Sequence, residues 1–224
     1  MRVNRFIAAA TGMSRRAADH VIQEGRVLIN GQPPDIGQNV TDDDSVTLDQ
    51  VPLRRAIHQT ILLHKPRGYV CSRQGQGSKT IYDLLPQRFH HLKPVGRLDK
   101  DSSGLILLTN DGHLTQQLTH PSFQKNKRYE VTLDRPLQPL HRQMISDFGL
   151  QLSDGLSKLQ LERQHEGDDT VWIVVMHEGR NRQIRRTFDA VGYTVTRLHR
   201  THFGTFALDD LMTGKYRTVA TDNF

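Results

Sequence analysis

The chain has 224 residues, of which 36% are hydrophobic, and its net charge of +6 gives a pI near 9.7. A single cysteine excludes an intrachain disulfide framework and a cysteine-based zinc site, and no apolar run is long enough to span a bilayer. We therefore expect a cytoplasmic protein of one or two domains, taken as a monomer and without a membrane partner. Its basic balance favours an anionic partner such as nucleic acid.

Residues 1–49 are predicted to form a small module of two short helices, a strand and a turn. Val3, Phe6 and Ile7 recur at helical spacing, and Ser14 is placed to cap the second helix. The stretch "GRVLINGQ" then predicts a hairpin-like piece. A solvated surface would explain any one arginine of this module, but as a set they are expected to face phosphates: Arg2, Arg5, Arg15, Arg16 and Arg26.

The pattern changes after residues 50–59, "QVPLRRAIHQ", which are predicted as a linker because they contain Pro52 and show little periodicity. Residues 60–224 follow as a second domain, with helices expected near 112–119, 136–147 and 181–191. Because few helices are available to connect parallel strands, the pattern predicts an α+β fold with a mainly antiparallel, mixed sheet. The predicted strands are "TILLHK", "GYVCS", "GLILLT", "RYEVTLD", "KLQLER", "TVWIVVM" and "TVTRLHR".

A polar turn leads into the most apolar of these strands, in "GRLDKDSSGLILLTNDG" at residues 96–112. The run from Leu105 to Leu108 predicts a buried strand, so the turn should hold Arg97 and Asp99 on a rigid support, where functional groups are common. From spacing alone, an Asx-type turn in which Asp99 bonds nearby amides is the better explanation.

A basic helix is predicted in "HEGRNRQIRRTFDAVG", with Asn181 as its cap and Ile184 and Phe188 on its buried face. Its arginines face away from the core in this pattern, and an exposed soluble surface is the alternative to a phosphate partner. Tyr129 is a candidate for stacking on a base, although the alternation in "KRYEVTL" places it in the core. The basic set comprises Arg180, Arg182, Arg185 and Arg186.

Two resemblances organise these segments. "SRRAADHVIQEGRVLINGQ" resembles the alpha-L RNA-binding domain, the type found in the fourth small-subunit ribosomal protein, and implies an RNA partner. "KPRGYVCS" at 65–72, the turn at 96–112, "KRYEVTL" at 127–133 and "EGRNRQIRRTFDAVG" at 178–192, in that order behind such a module, resemble the ribosomal pseudouridine synthases of the RsuA family.

The second resemblance implies a reaction and roles for particular residues. It implies site-specific isomerisation of uridine to pseudouridine in ribosomal RNA, or in a ribosomal assembly intermediate, without a cofactor or metal. By position in the motifs, Asp99 would be catalytic, Tyr129 the active-site tyrosine and Arg185 the arginine paired with Asp99. RNA contacts are expected from the basic residues of the same motifs: Lys65, Arg97, Arg180, Arg182 and Arg186.

Two other classes of function compete with this interpretation. A non-enzymatic RNA-binding or ribosome-assembly protein would explain the first module and the positive charge. A metal-dependent nuclease would use Asp99 and Asp101 with some of the 12 histidines. Two carboxylates without a clear third ligand make a poor divalent-metal site, so the nuclease is the weakest of the three.

Overall fold

The computed structural model of the protein describes residues 1–54 and 57–220. The chain divides into two compact units, Met1–Gln59 and Thr60–Phe224, each with its own hydrophobic core. No helix within the described ranges is both long and apolar enough to cross a membrane.

The first unit consists of two helices and a three-stranded antiparallel sheet. Its core takes Phe6 and Ile7 from the first helix and Val27 from the first strand. As predicted, Ser14 caps the second helix, because its hydroxyl accepts the N–H of Ala17 at 3.1 Å. The elements are α1 (Val3–Thr11), α2 (Arg15–Gln23), β1 (Val27–Ile29), β2 (Val46–Leu48) and β3 (Val51–Pro52).

Strand β3 lies inside the stretch predicted as a linker. Val51 pairs with Leu48 and Pro52 with Thr47, so the first sheet continues past residue 49. The connecting residues Asp49 and Gln50 both have positive φ, 51° and 66°, as a tight two-residue hairpin turn requires. This turn is hard to recognise in the sequence because Asn-Gly or Asp-Gly is the usual pair.

The second unit begins with β4 (Thr60–Lys65), β5 (Lys93–Val95), β6 (Ser103–Thr109), α3 (Gly112–Thr119) and β7 (Lys127–Leu133). Next come α4 (Pro139–Gln143), which continues as a π-helical turn over Met144–Phe148, and the hairpin of β8 (Leu150–Leu152) and β9 (Gly155–Ser157). The remaining elements are β10 (Gln160–Arg163), β11 (Val171–Met176), α5 (Gln183–Asp189), β12 (Val195–Phe203), β13 (Phe206–Ala207) and β14 (Tyr216–Thr218). Single 3-10 turns cover Ile81–Leu84, Gln87–Phe89 and Pro121–Phe123.

Nine strands of the described chain form one sheet in the second unit. Its main order is β10-β11-β7-β12-β6-β4-β14, with β13 beside β12 and β5 beside β6. Within the described residues its pairings are antiparallel except that of β12 with β6, in which His199 lies opposite Ser103 and Arg200 opposite Gly104. The predicted α+β fold with a mainly antiparallel, mixed sheet is confirmed.

Strand β6 is buried on both faces, which explains its unbroken apolar sequence. Leu105 and Leu107 pack in one core together with residues of α3, and Ile106 and Leu108 pack in the other together with residues of α5. All four side chains are fully buried. The turn before β6 is therefore anchored in the centre of the sheet.

Gly104 allows β6 to approach β12 closely. Its φ is 109°, and a Cβ at this position would lie 2.2 Å from the carbonyl oxygen of Arg200. Any side chain here would force the parallel pair apart, so the glycine fixes the turn before β6 against β12.

One predicted strand is wrong and several short strands were not predicted. "GYVCS" is a loop in which Val70 makes an isolated bridge with Thr80, and Gly68 turns the chain with φ 90°. The unpredicted strands β5, β8, β9, β13 and β14 have two or three residues each, too few to show an alternating pattern.

Candidate active site

A cavity of about 260 Å³ lies between the turn before β6 and the segment before α5. The turn contributes Arg97 and Asp99, the segment contributes Arg180 and Arg182, and β7 contributes Tyr129. Three stretches that are far apart in the sequence therefore bring five of the predicted site residues to one place.

The turn that carries Asp99 is held from beneath by Lys65, at the end of β4. The Lys65 ammonium group donates to the carbonyl oxygens of Pro66 at 3.1 Å, Asp99 at 3.0 Å and Ser102 at 2.6 Å. Lys65 is fully buried, and burial lowers its pKa to about 8. The prediction that Lys65 binds RNA is wrong, because its three donors are used inside the protein.

Cys71 fixes the same turn from the "KPRGYVCS" loop. Its thiol donates to the carbonyl oxygen of Leu98 at 3.3 Å and accepts the N–H of Leu98 at 3.4 Å. Burial raises the pKa of this thiol, which keeps it protonated and disfavours a nucleophilic role.

The carboxylate of Asp99 pairs with Arg182 instead of Arg185. Nη1 of Arg182 lies 3.5 Å from Oδ2 of Asp99, the one side-chain contact that this carboxylate makes among the described residues. Arg185 instead lies with its Nε 3.3 Å from Oδ2 of Asp101. The pairing of Asp99 with Arg185 expected from the resemblance is therefore not the one in the structure.

Arg185 is not turned away from the core as the helical pattern suggested. Its side chain is only 11% exposed and donates to the carbonyl oxygen of Val195 at 2.7 Å and to that of Asp101 at 3.3 Å. Burial lowers the pKa of this guanidinium. Arg185 thus supports the turn two residues beyond Asp99.

The carboxylate of Asp101 pairs with both Arg182 and Arg185. Arg182 donates to its carboxylate oxygens at 3.2 to 3.4 Å, in addition to the contact with Arg185. Burial alone would raise the pKa of Asp101, but the hydrogen bond from Arg182 and the charges of Arg185 and Arg182 outweigh it, so this pKa lies below its usual range. Asp101 is ionised at neutral pH.

Arg180 and Arg186 are held by the β8–β9 hairpin. Asp154 accepts from Arg180 at 3.0 Å and from Arg186 at 3.0 and 2.6 Å, and the hydrogen bond from Arg186 keeps the pKa of Asp154 below its usual range. Arg180 also donates to the carbonyl oxygens of Asp154 and Leu156. Both arginines were predicted to bind RNA; in the structure Arg180 connects the hairpin to the segment that lines the cavity, and Arg186 connects it to α5.

Helix α5 starts one residue later than predicted. Arg182, not Asn181, is its N-cap, with a left-handed φ of 47° and no side-chain cap bond. Gln183 is buried and fixes the segment, because its side chain accepts the N–H of Arg180 at 3.1 Å and donates to Ser157 at 3.2 Å and to Glu178. The segment is thus ordered by Gln183 rather than by a polar cap.

Tyr129 and Arg97 differ in exposure although both line the cavity. Tyr129 is 7% exposed and belongs to the main core, as the alternation predicted, and its residue also lines the cavity. Arg97 is exposed at the cavity edge.

The arginines of the first unit fall into two groups. The side chains of Arg15 and Arg16 on α2 are exposed and have no hydrogen bond or ion pair to another described residue. Arg26 pairs with Asp49 at 2.6 Å and with Glu24 at 3.0 Å, and the hydrogen bonds to these acids raise its pKa. Arg5 is half-buried on α1.

Two further findings concern the surroundings of the site. Across residues 1–54 and 57–220, no three His, Cys, Asp or Glu side chains come together as a metal-binding group. A larger cavity of about 740 Å³, which contains none of the predicted site residues, lies beside β10 and α4.

A comparison with known protein families identifies the family of the domain that contains the 260 Å³ cavity. The sequence model of a family described as RNA pseudouridylate synthase matches residues 59–190, more than half of the chain. The chain belongs to the RNA pseudouridine synthase family. The family resemblance and the enzyme class expected from the motifs are therefore confirmed, and the matched range contains Asp99, Tyr129 and Arg185.

Relatives of this pseudouridine synthase extend the similarity to nearly the whole chain. Ribosomal large subunit pseudouridine synthase B of Bacillus subtilis (strain 168) is 35% identical over 97% of this chain and 91% of its own. Ribosomal small subunit pseudouridine synthase A of Pasteurella multocida (strain Pm70) is 34% identical over 99% of this chain and 97% of its own. A crystal structure of a pseudouridylate synthase has a TM-score of 0.69 at 32% identity and covers 98% of this chain and 96% of that one.

The sequence analysis missed two acidic residues that bind the arginines at and beside the 260 Å³ cavity. Asp101 was considered only as a metal ligand, and Asp154 was not considered. A local signal existed for Asp154, since an Asp-Gly pair between two short apolar stretches is typical of a hairpin turn. The partners of Asp101 lie more than 80 residues away, so no local pattern identifies them.

Proposed function

We propose that this synthase converts specific uridines of ribosomal RNA to pseudouridine, with Asp99 as its catalytic carboxylate and without a cofactor. The observation that carries the proposal is the placement of Asp99. Asp99 lines the cavity together with Tyr129, and its ion pair with Arg182 is long, at 3.5 Å. Lys65 holds the backbone of the turn, so the carboxylate is positioned before substrate arrives.

The reaction is an internal exchange of bonds. The bond from N1 of uracil to C1′ of the ribose breaks, the base turns, and C5 bonds to C1′ while C5 loses a proton and N1 gains one. Because substrate and product contain the same atoms at the same overall oxidation state, no co-substrate is consumed. An ionised carboxylate suits this reaction as a nucleophile towards sugar or base, or as a proton acceptor.

The buried tyrosine suits a base that has left its helix. Extruding a nucleotide costs a few kcal/mol, and stacking on an aromatic ring returns about 1–3 kcal/mol per base. We propose that Tyr129 provides this surface. We also propose that Arg185 acts on Asp99 indirectly, through Asp101 and the turn backbone that it contacts.

Ribosomal RNA is the substrate class that the relatives favour. Two relatives with nearly equal identity are named for different ribosomal subunits. We propose that the first unit is an alpha-L module that binds RNA with the exposed Arg15 and Arg16, and that Arg97 contacts RNA at the cavity. The substrate is free ribosomal RNA or an assembly intermediate, and the enzyme acts as a cytoplasmic monomer.

The test measures tritium released to water from RNA labelled at C5 of uracil, with EDTA present. Small-subunit RNA, large-subunit RNA and partly assembled particles are compared for the parent protein, Asp99→Asn and Asp210→Asn. Asp210 is a matched control, because it is 98% exposed and does not line the cavity.

We expect release by the parent and by Asp210→Asn, and none by Asp99→Asn. Release by Asp99→Asn would overturn the catalytic assignment, and release that stops with EDTA would overturn the metal-independent reaction. No release from any of the three substrates would favour the RNA-binding protein without enzymatic activity.

A further inference from the structure

Arg182 stands between two carboxylates, and its shorter contacts are with the one that does not face the substrate cavity. Its guanidinium lies 3.5 Å from Asp99 but donates to both oxygens of Asp101 at 3.2 to 3.4 Å. Asp99 lines the cavity, whereas Asp101 does not. Among the described residues these two acids are the only side-chain partners of Arg182, which is 45% exposed.

Asp101 has a second arginine partner, Arg185, which is more buried than Arg182. Arg185 is 11% exposed and is anchored by its bond to the carbonyl oxygen of Val195 at 2.7 Å. Its Nε is buried, has no hydrogen bond and lies 3.3 Å from Oδ2 of Asp101. A buried cation therefore pairs with the carboxylate of Asp101, and Asp101 in turn pairs with the more exposed side chain of Arg182.

We propose that Asp101 is a positioning residue that divides Arg182 between two carboxylates and so keeps the carboxylate of Asp99 from being fully paired before uridine binds. The inference rests on the proposed function of Asp99. An arginine that meets one carboxylate alone prefers a bidentate pair, which would occupy both oxygens of Asp99. Asp101 prevents that arrangement while it keeps a cation beside the site.

The charges around Asp99 decide whether removing the charge of Asp101 favours or disfavours the ionised form of Asp99. The negative charge of Asp101 disfavours the ionised form of Asp99, and its hold on Arg182 weakens the favourable pair. Removing that charge therefore acts in one direction only, towards an ionised and fully paired Asp99. The other titratable and charged groups that face Asp99 from the neighbouring elements are Lys65, Arg67, Cys71, Arg97, Lys100, Tyr129, Arg180 and Arg185.

A carboxyl-carbon NMR titration tests this arrangement without any need for activity. The protein is labelled with carbon-13 at the aspartate carboxyl groups, and the Asp99 signal is assigned by its loss in Asp99→Asn. We expect the titration midpoint of Asp99 to be lower in Asp101→Asn than in the parent, because the variant removes a neighbouring negative charge and frees Arg182 for Asp99. Asp101→Glu, which keeps the charge, should restore most of the difference, and Asp210→Asn should leave the midpoint unchanged.

The kinetic arm uses tritium release over a range of pH. We expect the acidic limb of kcat/KM in Asp101→Asn to move to lower pH together with the NMR midpoint, while kcat at neutral pH falls because both oxygens of Asp99 are occupied. An unchanged or raised NMR midpoint would overturn the proposal, and so would a loss of kcat with no shift of the limb, which a purely structural role predicts. If the parent released no tritium, the proposed function would fail, and the NMR arm would still decide whether Asp101 controls the pairing of Asp99.

Discussion

The segment before α5 and helix α2 are both rich in arginine, yet their arginines are used differently. Arg180 in this segment and Arg186 in α5 itself are bound by Asp154. On α2, Arg15 and Arg16 are exposed and have no partner among the described residues. Charge counts predicted RNA contacts for all four, so the count alone does not separate cations that build a site from cations that are free to meet a phosphate.

This difference predicts two kinds of behaviour. A cation that holds protein acceptors should affect stability and turnover, and salt should change its effect little only where the contact is buried, because exposed contacts are screened. A free surface cation should affect RNA affinity and the salt dependence of binding, with little effect on folding.

The largest effect is expected for Lys65→Met. The substitution removes the ammonium group that donates to the carbonyl oxygens of Pro66, Asp99 and Ser102; Asp99 keeps the N–H of Ser102, but the other two lose this donor, and each buried acceptor left unsatisfied costs about 1–3 kcal/mol. We expect a loss of unfolding free energy of about 3 kcal/mol or more, measured by urea denaturation, and loss of tritium release in the variant that remains folded.

Lys127→Met is the matched control for that change. Lys127 also binds two carbonyl oxygens, those of His177 and Glu178 at 3.2 Å, but these bonds are exposed to solvent. Water can replace the ammonium group there, so its loss should cost clearly less. Equal losses of stability in the two variants would contradict the special role of Lys65.

A smaller effect is expected for Asp154→Asn. The substitution removes the charge that holds Arg180 and Arg186 to the hairpin, so the segment lining the cavity should loosen and kcat should fall while RNA binding tightens slightly. Because these groups are partly exposed, added salt should reduce the difference between the variant and the parent. Tritium release and RNA binding are measured at low and high salt.

Asp134→Asn serves as the control for Asp154→Asn, since Asp134 also pairs with an exposed arginine, Arg135 at 3.2 Å, but does not line the 260 Å³ cavity. A fall of kcat in the control equal to that in Asp154→Asn would show that the hairpin has no particular role in the site.

The sequence predicted those parts of the molecule that depend on local pattern. The buried run from Leu105 to Leu108, the cap at Ser14 and the half-buried face of β7 all follow from periodicity or a single hydrogen bond nearby. The resemblance also placed Asp99 and Tyr129, which the structure brings to one cavity.

The predictions that the structure contradicts concern contacts between residues that are far apart in the sequence. Lys65 reads as a basic residue at the end of a strand, and its burial depends on carbonyl groups 34 and 37 residues further along the chain. Which arginine meets Asp99 depends on the left-handed backbone at Arg182, which the sequence does not signal because glycine or asparagine usually takes that conformation. Periodicity assigned Arg185 to the exposed face of α5, but its side chain pairs with Asp101 and donates to the carbonyl oxygen of Val195, and both partners lie outside the helix.

The smallest effect on turnover is expected for the double variant Arg15→Gln with Arg16→Gln. If both arginines contact phosphates, the slope of log affinity against log salt should decrease by about 1.4 for single-stranded RNA, with kcat and the melting temperature unchanged. Arg26→Gln is the matched control in the same unit, because Arg26 is already paired with Asp49 and Glu24 and should change the slope much less. An equal change in slope for Arg26→Gln would mean that an ion pair within the protein does not keep an exposed arginine from binding RNA. Only the measurements of turnover would then distinguish the arginines bound by Asp154 from the unpaired arginines of α2.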